Sequence, residues 1–221
     1  MAIVEDGVTM AEYTANFKKT HSQTLLPMID AMVSLLDVDL ATVDAIAVSG
    51  GPGSFTGLRI GSATAKGLGL ALNKPLIHVP TLDGTAYNMY GASGLICPIM
   101  DARRNQVYTG IYRFENEFQV VMEQDALDMN DLIEKLNAME ERVIFLGDGV
   151  PVHEKLICEK MTVPFAFAPA HVNRQRAASV AALGAVYLAE GKTETAAEHG
   201  PDYLRKSQAE REREEKETAG K

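Results

Sequence analysis

The stretch with the clearest potential for chemistry is a glycine-rich turn, GGPGSFTG, at residues 50–57, which we call the elbow. A glycine loop that leads into a helix offers backbone N–H groups and a positive dipole end, and both can bind a phosphate. The spacing departs from the known motifs, because five residues separate Gly51 from Gly57, and Leu58 and Arg59 stand where a P-loop has Lys and Ser or Thr. The glycine that would complete a dinucleotide fingerprint also comes one residue late. The sequence therefore favours a tight strand-to-helix turn over a nucleotide site.

A second set of residues could serve a small-molecule kinase or ATPase. The elbow and the Gly-Asp-Gly turn at residues 147–149 would contact phosphate and nucleoside, and Asp101, at a predicted strand end, would face a metal ion. Asp101 is equally suited to form the turn before residues 102–105. The first half of the chain offers no matching aspartate for the other side of a cleft. This alternative stays open, and ATP turnover would test it.

The five histidines could bind a metal ion only if several of them met, and their spacing gives no sign of that. None has a second histidine three to five residues away, and the H-E-x-x-H motif of zinc proteases is absent. A metalloprotease, the third function considered, is therefore disfavoured, and no metal or other cofactor is predicted. The histidines expected at the surface or satisfied in the core are His21, His78, His153, His171 and His199.

The composition limits the possible partners and location. A chain of 221 residues with 46% hydrophobic content can bury one large core or two small ones. A net charge of -9, without a basic run before the C-terminal tail, argues against tight binding of nucleic acid by the chain alone. Cys97 and Cys158 are predicted to be buried free thiols in a reducing compartment. Without a basic signal-peptide start, and with an uncharged helical stretch at 177–189 that is too short for a bilayer, the chain is expected in the cytoplasm.

Two predicted helices near the elbow have unusual faces. The first, from about residue 24 to 36, is apolar around more of its circumference than one core needs. Pro27 fits in its first turn if the helix begins near residue 24, whereas an earlier start would force a kink, and the sequence leaves the exact start open. The second, from about residue 57 to 72, has small residues at every fourth position on two stripes. Glycine costs about 1 kcal/mol relative to alanine inside a helix, so close packing against another helix explains the stripes better than propensity. The stripes are Gly57, Gly61, Ala65 and Gly69, and Ala63, Gly67 and Ala71.

The same order of elements is predicted twice along the chain. The first half has strands at 2–4 and 8–16 joined by a D-G hairpin turn, the first helix, a strand at 45–49, the second helix, a strand at 76–79 and a helix at 82–89. The second half has strands at 95–100, 106–114 and 118–122, helices at 130–139, 152–161 and 174–190, and intervening strands at 143–146 and 163–167. The pattern predicts an α/β fold with domains at 1–92 and 93–204 and a charged tail at 205–221.

The elbow and its neighbours, VSGGPGSFTGLRIGSATAKGLGLALNKPLIHVPTLDGTAYN, resemble the signature region of the TsaB (YeaZ) family. The first helix HSQTLLPMIDAM, the segment DARRNQVYTGIY and the C-terminal P-x-Y-L-R at 201–205 are similar as well, so the resemblance covers nearly the whole chain. Its most specific part is GPGSFTGLRIG at 51–61. The resemblance implies the fold of the actin-like ATPase superfamily, with two ribonuclease-H-like domains that each have sheet order 3-2-1-4-5.

The resemblance also implies a role in forming threonylcarbamoyladenosine at position 37 of transfer RNAs that read codons beginning with A. In this family the protein is a noncatalytic partner: a TsaD subunit transfers the threonylcarbamoyl group, and an ATPase, TsaE, joins the complex. The first two helices form the surface for TsaD or for a second copy of the chain, and tRNA is bound only through the complex. In this sequence the surface comprises Leu25, Met28, Ile29, Met32, Leu58, Gly61, Ser62 and Ala65.

The first predicted half differs from the second in having two strands, not three, before its first helix. Family members open with an apolar strand that ends in Asp-Thr-Ser, whereas this chain begins at what would be the second strand. The first strand is central in the order 3-2-1-4-5, so its absence would separate the hairpin at 2–16 from the strand at 45–49. The sequence therefore predicts a first domain without its opening strand, with Met1 an internal methionine or misassigned start and about 10 to 20 residues ahead of it.

Overall fold

The computed structural model describes residues 1–16 and 21–204. The strands within these ranges are β1 (Ala2–Glu5), β2 (Val8–Glu12), β3 (Ile46–Gly51), β4 (Leu76–Pro80), β5 (Leu95–Asp101), β6 (Gln106–Phe114), β7 (Phe118–Asp128), β8 (Val143–Leu146) and β9 (Phe165–Phe167). The helices are α1 (His21–Leu36), α2 (Phe55–Leu72), α3 (Thr81–Ala86), α4 (Met129–Ala138), α5 (Val150–Lys160) and α6 (Ala177–Ala189), with 3-10 turns at Leu40–Thr42 and Tyr87–Met89. This alternation confirms the predicted α/β class. No helix in the described ranges has both the length and the apolar composition of a membrane span.

The second half is built on one five-stranded sheet in the order β7-β6-β5-β8-β9. The central strand β5 pairs antiparallel with β6 and parallel with β8. Its residues alternate between two buried faces: Leu95 packs in the cluster that contains Leu132 of α4, and Ile96 packs in the cluster that contains Leu82 of α3. Counted from β5, this is the order 3-2-1-4-5 that the resemblance implies for this half.

The strands of the first half form two separate two-stranded sheets within the described residues. β1 and β2 are an antiparallel hairpin whose turn residues Asp6 and Gly7 have φ of 48° and 77°, as a type I′ turn requires. β3 and β4 pair in parallel, with Ile46 opposite Leu76. Among the described strands, none lies between β1 and β3. A further strand ahead of Met1 stays a prediction.

Helix α6 connects the end of the chain to the first half. Leu183 is buried in a cluster with Ile77 and Val79 of β4. Gly184 allows a close approach to β3, because a Cβ atom at this position would lie 2.7 Å from the Cβ of Ala47. The helix that the sequence assigns to the second half therefore packs on the strands of the first.

A buried hydrogen-bond network also joins the two halves. Asp83 of α3 accepts hydrogen bonds from the hydroxyl of Tyr112 in β6, at 2.8 Å, and from that of Tyr187 in α6, at 3.2 Å. Burial raises the pKa of Asp83, and burial together with this carboxyl raises the pKa of both tyrosines. The tyrosines therefore remain protonated donors, and they compensate for the burial of Asp83 between three elements.

Helix α1 begins at His21, before the predicted start at Thr24. Pro27 consequently lies in the second turn and not, as predicted, in the first. A proline there removes one helical hydrogen bond, because it has no N–H. The helix continues past the proline to Leu36 and contacts α2 and β2.

Two strands differ in length from the prediction. β2 ends at Glu12, opposite Ala2 of β1 and earlier than predicted, and two backbone hydrogen bonds between Met1 and Tyr13 continue the pairing by one residue. β7 continues to Asp128, beyond the predicted end at Met122, and pairs with β6 along that whole length. β7 lies at the edge of the sheet, where polar side chains such as Glu123 are exposed, so its apolar pattern marks only part of the strand.

Both cysteines are free thiols, but only Cys97 is buried. Burial raises the pKa of the Cys97 thiol to about 12, so this group is a poor nucleophile. The prediction of a buried thiol is wrong for Cys158, which is exposed on α5. The side of α5 that faces the core carries His153 and Ile157 instead.

Glu12 attaches the hairpin to α6. Its carboxylate forms an ion pair with the guanidinium of Arg176 and accepts a hydrogen bond from the N–H of Ala178 at 3.1 Å. Although burial acts to raise the pKa of Glu12, the hydrogen bonds and the positive charge of Arg176 lower it overall. The folded chain therefore favours the ionised carboxylate.

Replacing Glu12 with glutamine is expected to lower the free energy of unfolding at pH 7 by about 1 to 3 kcal/mol, because Arg176 loses its charged partner. A carboxyl whose pKa is lowered by folding contributes stability above its unfolded pKa, and that contribution disappears as the pH falls through the folded-state value. Urea unfolding should show that the free energies of unfolding of the two proteins converge as the pH falls below about 4. Glu5→Gln, at an exposed carboxylate of the same hairpin, is the control and should have little effect. A difference that persisted at low pH would contradict this account.

Candidate partner-binding surface

Helix α2 is positioned by the elbow, which joins it to β3. Ser54 caps the helix by accepting a hydrogen bond from the N–H of Gly57 at 3.4 Å. On the inward side of the helix, Ala65 packs in a cluster with Leu76 of β4, and a Cβ atom on Gly69 would lie 3.0 Å from the Leu76 side chain. Small residues at these positions let α2 lie close against the first-half strands. Of that predicted stripe, Ala65 and Gly69 therefore turn into the core, whereas Gly61 does not.

Burial divides the eight predicted surface residues into two groups. Met32, Ser62 and Ala65 are buried within the chain, which leaves their side chains little surface for a partner. The other five are partly buried: Leu25, Met28, Ile29, Leu58 and Gly61. Contact with a partner stays a prediction at all eight positions.

The predicted set omits two leucines of α1 that are strongly exposed. Leu26 is 55% exposed and Leu35 is 81% exposed. Both belong to the residues that widen the apolar side of α1, so the helical periodicity already contained this signal. Leu26 and Leu35 are nine residues apart, about 180° around the helix, so they mark opposite edges of its apolar side. We call the accessible residues of the predicted set the two-helix face: Leu25, Met28, Ile29, Leu58 and Gly61.

At Gly61 the surface of α2 carries no side chain, so a partner helix can approach its backbone closely. A Cβ atom there would have no heavy atom within 4 Å, so the chain leaves open space beside it. Gly67 is similarly open, and Leu70 is 72% exposed. At 3.6 residues per turn, Gly67 lies about 120° and Leu70 about 180° around the helix from Gly61. These two residues therefore belong to another side of α2.

The elbow itself is filled by other parts of the chain. A Cβ atom on Gly50 would lie 2.0 Å from the ring of His78, and one on Gly51 would lie 2.3 Å from the carbonyl oxygen of Asp202. The N–H of Asp202 donates to the carbonyl of Gly50 at 2.7 Å. These glycines make room for β4 and the C-terminal segment, which supports a structural turn over a phosphate site.

The C-terminal segment packs on the first turn of α2. The rings of Tyr203 and Phe55 lie 4.8 Å apart, and the guanidinium of Arg59 lies 4.2 Å from the centre of the Phe55 ring. The Nε of Arg59 also donates to the Tyr203 hydroxyl at 3.4 Å. The elbow and the P-x-Y-L-R segment, distant in sequence, therefore form one unit. Arg205 and the predicted charged tail lie outside the described residues.

The residues considered for a kinase are engaged in local structure. A Cβ atom on Gly147 would lie 2.1 Å from the carbonyl oxygen of Ile99, which also accepts a hydrogen bond from the N–H of Gly149 at 3.0 Å. Asp101, the candidate metal ligand, accepts a hydrogen bond from the N–H of Arg103 at 2.9 Å, as a turn-forming aspartate does. Close packing accounts for both glycines, and none of these contacts favours a phosphate-binding role.

Two histidines meet in the fold, although their spacing in the sequence gives no indication of it. The rings of His78 in β4 and His199 near the C-terminus have centres 5.7 Å apart. Glu194 Oε2 lies 3.0 Å from Nδ1 of His199. The expectation that the histidines lie at the surface or are satisfied in the core is therefore wrong for this pair, since Nε2 of each is buried without a hydrogen-bond partner among the described residues. Long-range pairing of β4 with the segment after α6 brings them together, and no local motif reports such pairing.

Comparison with known proteins first identifies the wider group. The model of the family described as "TsaD: tRNA N6-adenosine threonylcarbamoyltransferase" matches residues 9–213. The chain is thus related over most of its length to the protein group that contains this transferase.

Individual relatives then identify the family. The proteins named tRNA threonylcarbamoyladenosine biosynthesis protein TsaB from Bacillus subtilis and Escherichia coli are 35% and 30% identical to the chain, each over 95% of the chain and 90% of the relative. The solved structure of YeaZ from Pseudomonas aeruginosa has a TM-score of 0.77 and 28% identity, over 91% of this chain and 92% of that one. The chain belongs to the TsaB (YeaZ) family, as its resemblance predicts.

Proposed function

We propose that the chain is the noncatalytic partner of a TsaD-type transferase that forms threonylcarbamoyladenosine at position 37 of tRNAs reading codons that begin with A. Family membership and the relatives' names support the pathway. In this proposal the chain has two ribonuclease-H-like domains, 1–92 and 93–204, and it supports the TsaD-type subunit while a TsaE-type ATPase joins the complex.

The two-helix face carries this proposal. Met28 and Ile29 of α1 and Leu58 of α2 stay partly accessible on this face. Leu26 and Leu35 are exposed at opposite edges of the apolar side of α1, so that side is accessible across its whole width. Methionine adapts its shape to a partner surface, and a wide accessible apolar side favours association. The occupied elbow and the turn-forming role of Asp101 support a partner over a catalyst.

The same face serves self-association in this proposal. A second copy of the chain would place its α1 and α2 against those of the first, around Gly61, where the helix surface is open. The homodimer and the complex with a TsaD-type subunit therefore exclude each other. Adding the TsaD-type subunit should convert the dimer into a mixed complex.

A reconstituted reaction tests the proposed function. Purified TsaD-type and TsaE-type subunits from the same organism would be incubated with an activated threonylcarbamoyl donor, ATP and unmodified tRNA, with or without this chain. Modified nucleoside should form only in its presence. ATP turnover by the chain alone should stay at background, whereas turnover on the order of 1 s⁻¹, ordinary for enzymes, would favour the kinase alternative. Equal product with and without the chain would contradict the proposal.

The isolated chain is expected to bind tRNA weakly. Its net charge is -9, and tight binding requires Lys and Arg side chains that neutralise phosphates. Filter binding or fluorescence anisotropy at physiological salt should give a dissociation constant no lower than the range of about 10⁻⁴ to 10⁻⁶ M that is typical of non-specific binding. Affinity should rise when the TsaD-type subunit is added. Submicromolar binding by the chain alone would refute this prediction.

A further inference from the structure

Three side chains with metal-binding atoms converge beside the elbow. His78 belongs to β4, and Glu194 and His199 follow α6. One possible ligand atom from each of the three lies within 4.8 Å of the other two. None of the functions considered above uses this cluster.

The two histidines carry ring nitrogens without a hydrogen-bond partner among the described residues. The side chain of His199 is 0% exposed; its Nδ1 faces Glu194, and its Nε2 is unpartnered. Nε2 of His78 lies 3.1 Å from Oδ2 of Asp202 but lacks the geometry of a hydrogen bond. Buried polar atoms are normally paired, so two such nitrogens near two carboxylates require an explanation.

The backbone holds the cluster in place. Leu76 and Glu194 exchange two backbone hydrogen bonds, each 2.8 Å long, and these fix the segment after α6 beside β4. Nζ of Lys66 in α2 donates to the carbonyl of His199 at 2.9 Å. The ring of His78 is seated against Gly50, where any Cβ atom would clash with it. The positions of the donor groups are therefore set by ordinary packing.

We propose that His78, Glu194 and His199 bind one Zn²⁺ ion, with Asp202 as the nearest group for a fourth ligand. Imidazole nitrogens and carboxylate oxygens are ligands that Zn²⁺ accepts at about 2.0 to 2.2 Å, usually in a tetrahedron. Ligand atoms around such an ion lie roughly 3.3 Å apart, so modest rotations of the side chains would close the cluster. The ion gives the unpartnered nitrogens a partner and offsets the charge of the carboxylates.

The ion would fasten the C-terminal segment to the first half of the chain. Glu194 and His199 lie after α6, whereas His78 is in β4, so one ion cross-links segments that are otherwise joined mainly by backbone hydrogen bonds. The fastened segment continues to Asp202 and Tyr203, which contact the elbow and the start of α2. Zn²⁺ is thus a structural ion that stabilises the elbow and the N-terminal turn of α2.

The test uses the full chain with any affinity tag removed, since a histidine tag binds Zn²⁺ itself. Equilibrium dialysis against ZnCl₂ followed by elemental analysis should give one Zn²⁺ per chain, with a submicromolar dissociation constant from calorimetry. His199→Ala and Glu194→Gln should each weaken binding about 100-fold or more, because losing even an outer-shell partner costs roughly 10- to 100-fold. His153→Ala removes a buried histidine outside the cluster and should leave the stoichiometry unchanged.

A second measurement separates loss of the site from loss of the fold. Glu194 is partly exposed, so Glu194→Gln should retain the wild-type circular dichroism spectrum even if His199→Ala does not. Zn²⁺ should raise the melting temperature of the wild type and of His153→Ala, but not of folded Glu194→Gln. Absence of stoichiometric Zn²⁺ in the wild type would overturn the proposal and leave a buried histidine pair without a metal. Equal affinity in the wild type and in Glu194→Gln would overturn it as well.

Discussion

Replacing Gly61 with leucine is expected to weaken binding of the TsaD-type subunit by about 10- to 100-fold while the chain stays folded. A bulky side chain at a close helix contact costs roughly 1 to 3 kcal/mol through overpacking, and every 1.4 kcal/mol is a factor of ten in affinity. Within the single chain the substitution has room, because no heavy atom lies within 4 Å of the position a Cβ would take. Leucine also favours a helix over glycine by somewhat less than 1 kcal/mol, so the melting temperature should not fall.

The matched control is Gly67→Leu, which makes the same change at another open glycine of α2. Gly67 lies about 120° around the helix from Gly61, so its leucine points away from the two-helix face. Calorimetry or biolayer interferometry with the purified TsaD-type subunit should show near-native affinity for this variant. If Gly67→Leu blocks binding and Gly61→Leu does not, the surface lies on the other side of α2. The homodimer, measured by sedimentation, should follow the same pattern: Gly61→Leu should weaken it, and Gly67→Leu should leave it unchanged.

Local patterns in the sequence predicted most of the individual elements. The hairpin follows from Asp6 and Gly7, and the strands of the second half follow from alternating apolar residues between glycine turns. These features depend on neighbours a few residues apart, and sequence patterns report such neighbours directly. The order of the second-half sheet came from the family resemblance and not from any local pattern.

Features that depend on long-range contacts could not be predicted in this way. The stripes show that α2 has small residues on two sides, but the position of Leu76 in β4 decides which of those residues, such as Gly69, turn inward. The meeting of His78 with Glu194 and His199 depends on a backbone bridge between β4 and the segment after α6. For the candidate surface, the sequence therefore identified the two helices and left the accessibility of each residue to the fold.

Replacing Gly147 with alanine is expected to lower the free energy of unfolding by about 3 kcal/mol or more. Gly147 has a φ of 103°, and a positive φ costs an alanine about 1 to 2 kcal/mol. The new Cβ would also lie 2.1 Å from the carbonyl oxygen of Ile99, at a typical overpacking cost of about 1 to 3 kcal/mol. That oxygen cannot retreat freely, since it accepts the hydrogen bond from Gly149. At roughly 2 to 4 °C per kcal/mol for a chain of this size, the melting temperature should fall by about 6 to 12 °C.

Gly91→Ala separates the two causes. Gly91 also has a positive φ, 78°, but its Cβ position has no heavy atom within 4 Å. This variant should therefore lose only the backbone part, about 1 to 2 kcal/mol. Urea unfolding of both variants measures the difference, which is the cost of pressing a methyl group against Ile99. Equal losses would mean that the turn at 147–149 has room for a side chain, and close packing would no longer account for its glycines. The turn would then again be available to contact a nucleoside, as the kinase alternative requires.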